Sequence, residues 1–251
     1  MDIIQSFYDN LAPQYDKLYS DWESAVCEEA KILDRVFQKH GFQKSAQILD
    51  CACGIGTQAI GLAKLRYCVT ASDISVGAIS EGRKRAADAG VEIRFLPADF
   101  RSLSDVFAEK YDIVIAMDNA LPHMLSSEDL RSAVKSITGQ LKEDGMFVGS
   151  IRDYDMLLEE KPSYAPPYIY HTGEGRRVSF QTWDWNEDRY TLIQYMIDDG
   201  ESLSVSRFAC EYRAVRREEL TNLFLEHGCR DVSWLFAEET GFYQPIVVVR
   251  K

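Results

Sequence analysis

Basic charge is the scarcest thing in this chain. Of 251 residues only 28 are Lys or Arg, against 40 Asp or Glu, leaving a formal charge of −12. Non-specific nucleic-acid affinity comes mainly from clustered basic side chains, so this balance argues against a nucleic-acid partner and favours a small, neutral or cationic ligand. Cysteine is also sparse. Six residues, with a single C-x-C at Cys51 and Cys53 and no C-x-x-C, are too few for a disulfide scaffold. They read as reduced and structural, and with only four histidines to assist them no metal site is expected. Long apolar runs are missing as well. The longest, at residues 113–117 and 246–249, are strand-sized, and the opening MDIIQSFYDN has neither the basic nor the apolar part of a signal peptide. A soluble, cytoplasmic protein without a membrane partner is expected, with homo-oligomerisation left open. There are no internal repeats or low-complexity tails.

What is present suffices for a sizeable core: 46% hydrophobic and 27% charged residues, with 15 Gly and 7 Pro. A domain averages roughly 150 residues, yet α/β folds run to about 250 as one unit, so 1–251 is read as a single domain. A stripe of Trp22, Val26, Ala30, Leu33 and Phe37, stopped at Gly41, predicts a helix before the first strand, inside an N-terminal helical cap over 1–41. Short apolar runs then alternate with helical stretches: AQILDC, YCVTASD, EIRFLP, YDIVIAM and GMFVGSIR, with a helix opened by Ser126 and Asp129 before the last. Five β-α units in succession predict a Rossmann-like, mostly parallel sheet with helices on both faces. The pattern breaks after Arg152. Residues 153–215 read as an inserted lid and antiparallel meander. The lid carries Pro162, Pro166 and Pro167, and three strands follow: VSFQTWDW, YTLIQYMI and SLSVSRFACEYR.

The strongest local signal is Asp50-Cys51-Ala52-Cys53-Gly54-Ile55-Gly56, a strand entering a glycine turn and then a helix. Gly54-x-Gly56-x-x-Ala59 also fits a dinucleotide fingerprint, but a carboxylate at Asp50 would repel a pyrophosphate at the helix N-terminus. It suits instead a ligand bearing an ammonium and a sulfonium, such as S-adenosylmethionine. Asp73, about 20 residues on, can accept both ribose hydroxyls of an adenosine. Asp99 and Phe100 offer a polar group and an aromatic edge for adenine, or equally an N-cap and a core side chain. Ala52, Ile74 and Met117 are expected beside the same ligand. Tyr15 and Trp22 are the aromatic candidates for closing over the sulfonium.

The order Asp50 to Gly56, Asp73, Asp99, then Met117-Asp118-Asn119-Ala120-Leu121-Pro122-His123 resembles the class I S-adenosylmethionine-dependent methyltransferases. That family implies a seven-stranded sheet whose last strand is inserted antiparallel. A narrower resemblance, to glycine and sarcosine N-methyltransferases, rests on Leu49 to Gly54, on Asp118-Asn119 with His123, and on Ile151-Arg152-Asp153-Tyr154-Asp155 followed by Ala165-Pro166-Pro167 and Tyr170. It implies that Arg152 binds an amino-acid carboxylate and that Asn119 helps hold the substrate. Independently, an arginine at a strand end beside the ligand crevice offers a planar fork for a carboxylate. The ordinary alternative is a salt bridge to Asp153 or Asp155. The expected function is therefore methyl transfer from S-adenosylmethionine to the amine of a small amino acid such as glycine or sarcosine, releasing S-adenosylhomocysteine. Other readings are a methyltransferase for a different small metabolite, the tyrosine-rich lid pointing to an aromatic one among the options, and a non-catalytic S-adenosylmethionine-binding module; a dehydrogenase ranks last.

Overall fold

The computed structural model describes residues 3–173 and 175–251. Residues 1, 2 and 174, part of the expected cap and of the expected insert, lie outside them. The chain begins with α1 (Ile3–Leu11), a 3-10 turn at Ala12–Leu18, and α2 (Trp22–Lys39). Asp21 caps α2 by accepting from the Ser24 N–H at 3.1 Å. Five strands follow, with α-helices after the first, second and fourth and a 3-10 turn at Leu103–Asp105 after the third: β1 (Gln47–Asp50), α3 (Thr57–Lys64), β2 (Cys68–Asp73), α4 (Val76–Asp88), β3 (Arg94–Pro97), β4 (Tyr111–Ala116), α5 (Ser127–Gln140) and β5 (Leu141–Ser150). Then come α6 (Tyr154–Glu160), the strands β6 (Tyr164–Thr172), β7 (Gly175–Asn186), β8 (Arg189–Asp199) and β9 (Leu203–Arg213), and finally α7 (Arg217–Glu226), β10 (Asp231–Leu235), α8 (Ala237–Thr240) and β11 (Ile246–Arg250).

The first sheet has seven strands in the order β10-β11-β5-β4-β1-β2-β3, with β11 antiparallel to both neighbours and β1 to β5 parallel. The direction of winding reverses between β1 and β4, which opens a crevice at their carboxyl ends. Cys51 continues the Leu49 face into one core layer, whereas the glycine turn breaks the two-residue alternation and sends Cys53 into the opposite layer. All six cysteines are free.

The second sheet, β6-β7-β8-β9, is antiparallel and has one strand more than the three expected. The extra strand is the proline-rich run itself. Pro166 and Pro167 fall where the β6–β7 register shifts between Ala165 and Tyr168, on the sheet's edge, where a missing N–H costs no ladder bond. A second departure concerns the end of β5. Arg152 was placed in that strand, but pairing with β4 ends at Ala116 and the strand stops at Ser150. Arg152 sits in the turn before α6, its carbonyl accepting from the Tyr154 N–H at 2.8 Å.

The N-terminal segment lies between the two sheets. Phe7 and Leu11 of α1 share a core with Trp183, Leu192, Met196 and Tyr212 of the second sheet and with the α5 side of the first. α1 is also tied to α4: Asp9 accepts from the Ser75 hydroxyl at 2.6 Å and from the Gly77 N–H at 2.8 Å. A Cβ on Gly77 would stand 3.1 Å from the Asp9 backbone, so glycine permits this approach. No helix among the described residues is long and apolar enough to cross a membrane.

Candidate active site

Two chambers meet at the carboxyl ends of the parallel strands. The first has about 730 Å³ of space, part of it open to solvent. Ala52 and Gly54 line it from the turn after β1, Asp73 and Ile74 from the end of β2, Asp99 and Phe100 from beyond β3, Met117 from the end of β4, and Tyr15 from the N-terminal segment. These eight positions from the sequence analysis are brought together. Three others are not among the lining residues. Asp50 is buried beneath the turn. Its Oδ1 accepts from the Ala52 N–H at 3.3 Å, its Oδ2 has no partner, and burial pushes its carboxyl well above the usual carboxylate range. It is therefore a weaker anion than its position in the sequence suggested. Gly56 is the N-cap of α3 at φ 93°, where a Cβ would press on Ile60 at 3.1 Å; its role is in the turn. Trp22 faces an adjoining pocket, stacked under Arg85, and reaches the site only indirectly, donating to Thr57 Oγ1 at 3.0 Å.

Asp73 is buried and spans the turn, accepting from the Gly54 N–H at 2.8 Å and from the Ser75 N–H at 2.9 Å. Each oxygen keeps a lone pair for a further donor. Asp99 lines the crevice but is held by Arg101, whose Nη2 and Nε donate to its Oδ2 at 2.6 and 2.9 Å.

The second chamber, with about 1550 Å³ of space open to solvent, lies between the N-terminal segment and the second sheet. Arg152 and Asn119 line it. Arg152 donates to the Tyr190 hydroxyl at 2.7 Å and to Gln181 Oε1 at 3.2 Å, and its guanidinium lies over Trp183 at 4.7 Å and Tyr212 at 5.6 Å. Burial works against its charge, but the surrounding tyrosines more than offset this and the guanidinium stays protonated. No carboxylate pairs with it among the described residues. Asp153 and Asp155, the ordinary candidates, are occupied by Arg217, at 2.5 and 3.0 Å. Asn119 Oδ1 accepts from the Arg152 N–H at 3.1 Å and from the Tyr154 hydroxyl at 3.0 Å, while its buried Nδ2 has no partner.

Where the chambers join, Tyr8, Tyr15 and Asp118 line both. Asp118 and Asn119 have φ of 55° and 67°, a left-handed pair that turns both side chains of the β4 loop toward the site. Asp118 Oδ2 accepts from Gln58 Nε2 at 2.8 Å, and that same nitrogen donates to Glu29 Oε2 at 2.6 Å. Burial, then the charge of Asp118, pushes the Glu29 carboxyl up to about 9. His123 accepts or donates at 2.7 Å with the Tyr8 hydroxyl, and burial followed by the charge of Arg152 brings its pKa down to about 3, so it is a neutral imidazole. Sequence reasoning did not single out Gln58, Asp118, Gln181 or Tyr190 as site residues. Asp118 stood in a quoted motif, whereas Gln181 and Tyr190 reach the site only through the pairing of β7 with β8, which has no local signal.

A family model for the methyltransferase domain matches residues 48–145. A glycine/sarcosine N-methyltransferase from Aphanothece halophytica is 23% identical over 227 residues, covering 90% of this chain and 81% of that one. An S-adenosylmethionine-dependent methyltransferase structure from Clostridium acetobutylicum superposes with a TM-score of 0.76 at 19% identity, over 97% of this chain and 98% of that chain. A sugar N-methyltransferase structure from a Streptoalloteichus species gives 0.77 at 14% identity, over 94% and 92%. With residues 48–145 as its methyltransferase domain, the protein is an S-adenosylmethionine-dependent methyltransferase that resembles the glycine and sarcosine N-methyltransferases.

Proposed function

We propose that the protein methylates the amine of a small amino acid such as glycine or sarcosine. The observation that carries this reading is Arg152, a partly buried cation with two hydrogen bonds to neutral groups and no carboxylate partner among the described residues. Tyr190, Gln181, Trp183 and Tyr212 hold the fork in one orientation, and an acceptor carboxylate completes its pairing. The unpartnered Nδ2 of Asn119 supplies a second donor nearby.

The first chamber fits the cofactor. Gly54 lines it, and a Cβ there would meet nothing within 4 Å, so the absent side chain leaves room for a ligand. The remaining lone pairs of Asp73 accept the ribose hydroxyls, and Ile74 and Phe100 flank the adenine. S-adenosylmethionine supplies a methyl group on a sulfonium. The chain's own work is to fix the acceptor nitrogen in line with that methyl and to shield the approach from water, which together account for most of the rate of such displacements.

The test is transfer of labelled methyl to glycine and sarcosine. Arg152→Lys keeps the charge but loses the fork, so kcat/KM for both should fall about 100-fold, or about 2.7 kcal/mol, while S-adenosylhomocysteine binding stays near wild type. Normal turnover by Arg152→Lys and Arg152→Ala would remove the amino-acid reading and leave the methyltransferase. The rings of Tyr168, Tyr170 and Phe180 along the second chamber favour, as a second reading, a larger aromatic acceptor.

A further inference from the structure

We infer that Asp118 is a catalytic residue that binds the acceptor's ammonium and takes its proton before the methyl moves, an inference that rests on the amine-methylating reading above. Among the described residues only three line both chambers, and the transferred methyl must cross there. Two of them, Tyr8 and Tyr15, are phenols that burial holds well above their ordinary pKa, so neither is a base at neutral pH. The third is a carboxylate.

The groups around Asp118 keep it available. Gln58 on α3 and Tyr243 before β11 each donate one hydrogen bond to it, at 2.8 and 2.9 Å, one per oxygen, leaving a lone pair on each. Glu29 on α2 faces it through Gln58 and holds its own proton at neutral pH, so it sets no second negative charge beside Asp118. Tyr15 and Tyr19 face it from the N-terminal segment, and Asp50 from beneath. No Lys or Arg among the described residues pairs with it. Burial raises its affinity for a proton, which suits a group that must accept one from an ammonium. Beside it, Asn119 is 3% exposed, lines the second chamber and has a buried Nδ2 without a partner.

In the step, an N–H bond of the ammonium breaks, its proton forms an O–H bond on Asp118, and the bonding pair stays on nitrogen. That lone pair forms the new N–C bond while the C–S pair departs to sulfur, which becomes a neutral thioether. The proton on Asp118 then leaves to solvent, and the methylated ammonium is the product.

Two measurements test this, with sarcosine as the probe. Calorimetry of sarcosine binding to the wild-type S-adenosylhomocysteine complex at pH 7, in buffers of different ionisation enthalpy, counts protons released. About none is expected, because the proton stays within the complex; release of about one proton means the site takes only the free amine and overturns the inference. In Asp118→Asn, kcat/KM should drop at neutral pH and climb about tenfold per pH unit toward the amine pKa, with S-adenosylhomocysteine affinity within about twofold of wild type. A wild-type pH profile, or a loss of cofactor affinity alone, overturns it. If the wild type neither binds nor methylates sarcosine or glycine, the amino-acid reading falls and this inference with it; if it does, only the outcomes above decide.

Discussion

At Asp73 a single carboxylate does two jobs, tying the glycine turn after β1 to the turn after β2 through two backbone N–H groups and lining the first chamber. Replacing it by alanine should weaken S-adenosylhomocysteine binding by about 1.5 to 3 kcal/mol, measured by calorimetry on a variant whose circular dichroism matches wild type. Unchanged affinity would leave Asp73 with the turn alone. This residue was readable in the sequence because its signal is local: an acid at a strand end, about 20 residues after a glycine turn. Asp50 and Trp22 carried signals of the same kind and ended elsewhere. What separates them is depth, the one sunk beneath the turn and the other turned toward Arg85, and depth is a property of packing.

Between elements, the Glu29–Gln58–Asp118 chain ties α2 to α3 and to the β4 loop. It has a consequence for stability. Glu29, 8% exposed, ionises in the folded protein only near pH 9 but in the unfolded chain near 4.5, so folding retains a proton that unfolding releases. Stability should accordingly decline as pH rises between about 4.5 and 9, at up to about 1.4 kcal/mol per unit. Glu29→Gln should flatten that decline in denaturant titrations run from pH 5 to 9; an unaltered slope would place the dependence elsewhere. The elements themselves were legible where periodicity and caps agree, as in α2 with Asp21 and α5 with Ser126. The strand β6 was not. The prolines in Tyr164–Thr172 suggest coil, and only pairing with β7 makes the run an edge strand. The end of β5 was missed for a related reason, since the length of a strand is set by its neighbour.

Over the whole molecule, the N-terminal segment closes both chambers, with Tyr8 and Tyr15 as shared walls and Asp9 fastening it to α4. Asp9→Ala removes that fastening and should speed S-adenosylhomocysteine release several-fold, on the order of 1 kcal/mol, in a stopped-flow displacement experiment. An unchanged release rate would mean the segment does not gate exit. The same shared wall bears on how methyl groups accumulate on one acceptor. If the Asp9→Ala experiment shows that spent cofactor leaves by displacing this segment, the wall it shares with the second chamber is opened at every turnover. An amine methylated once then has nothing to keep it waiting for fresh cofactor. On the amine-methylating proposal, successive methylations would then be distributive, and a product time course should show the singly methylated amine building up in solution before the doubly methylated one is formed.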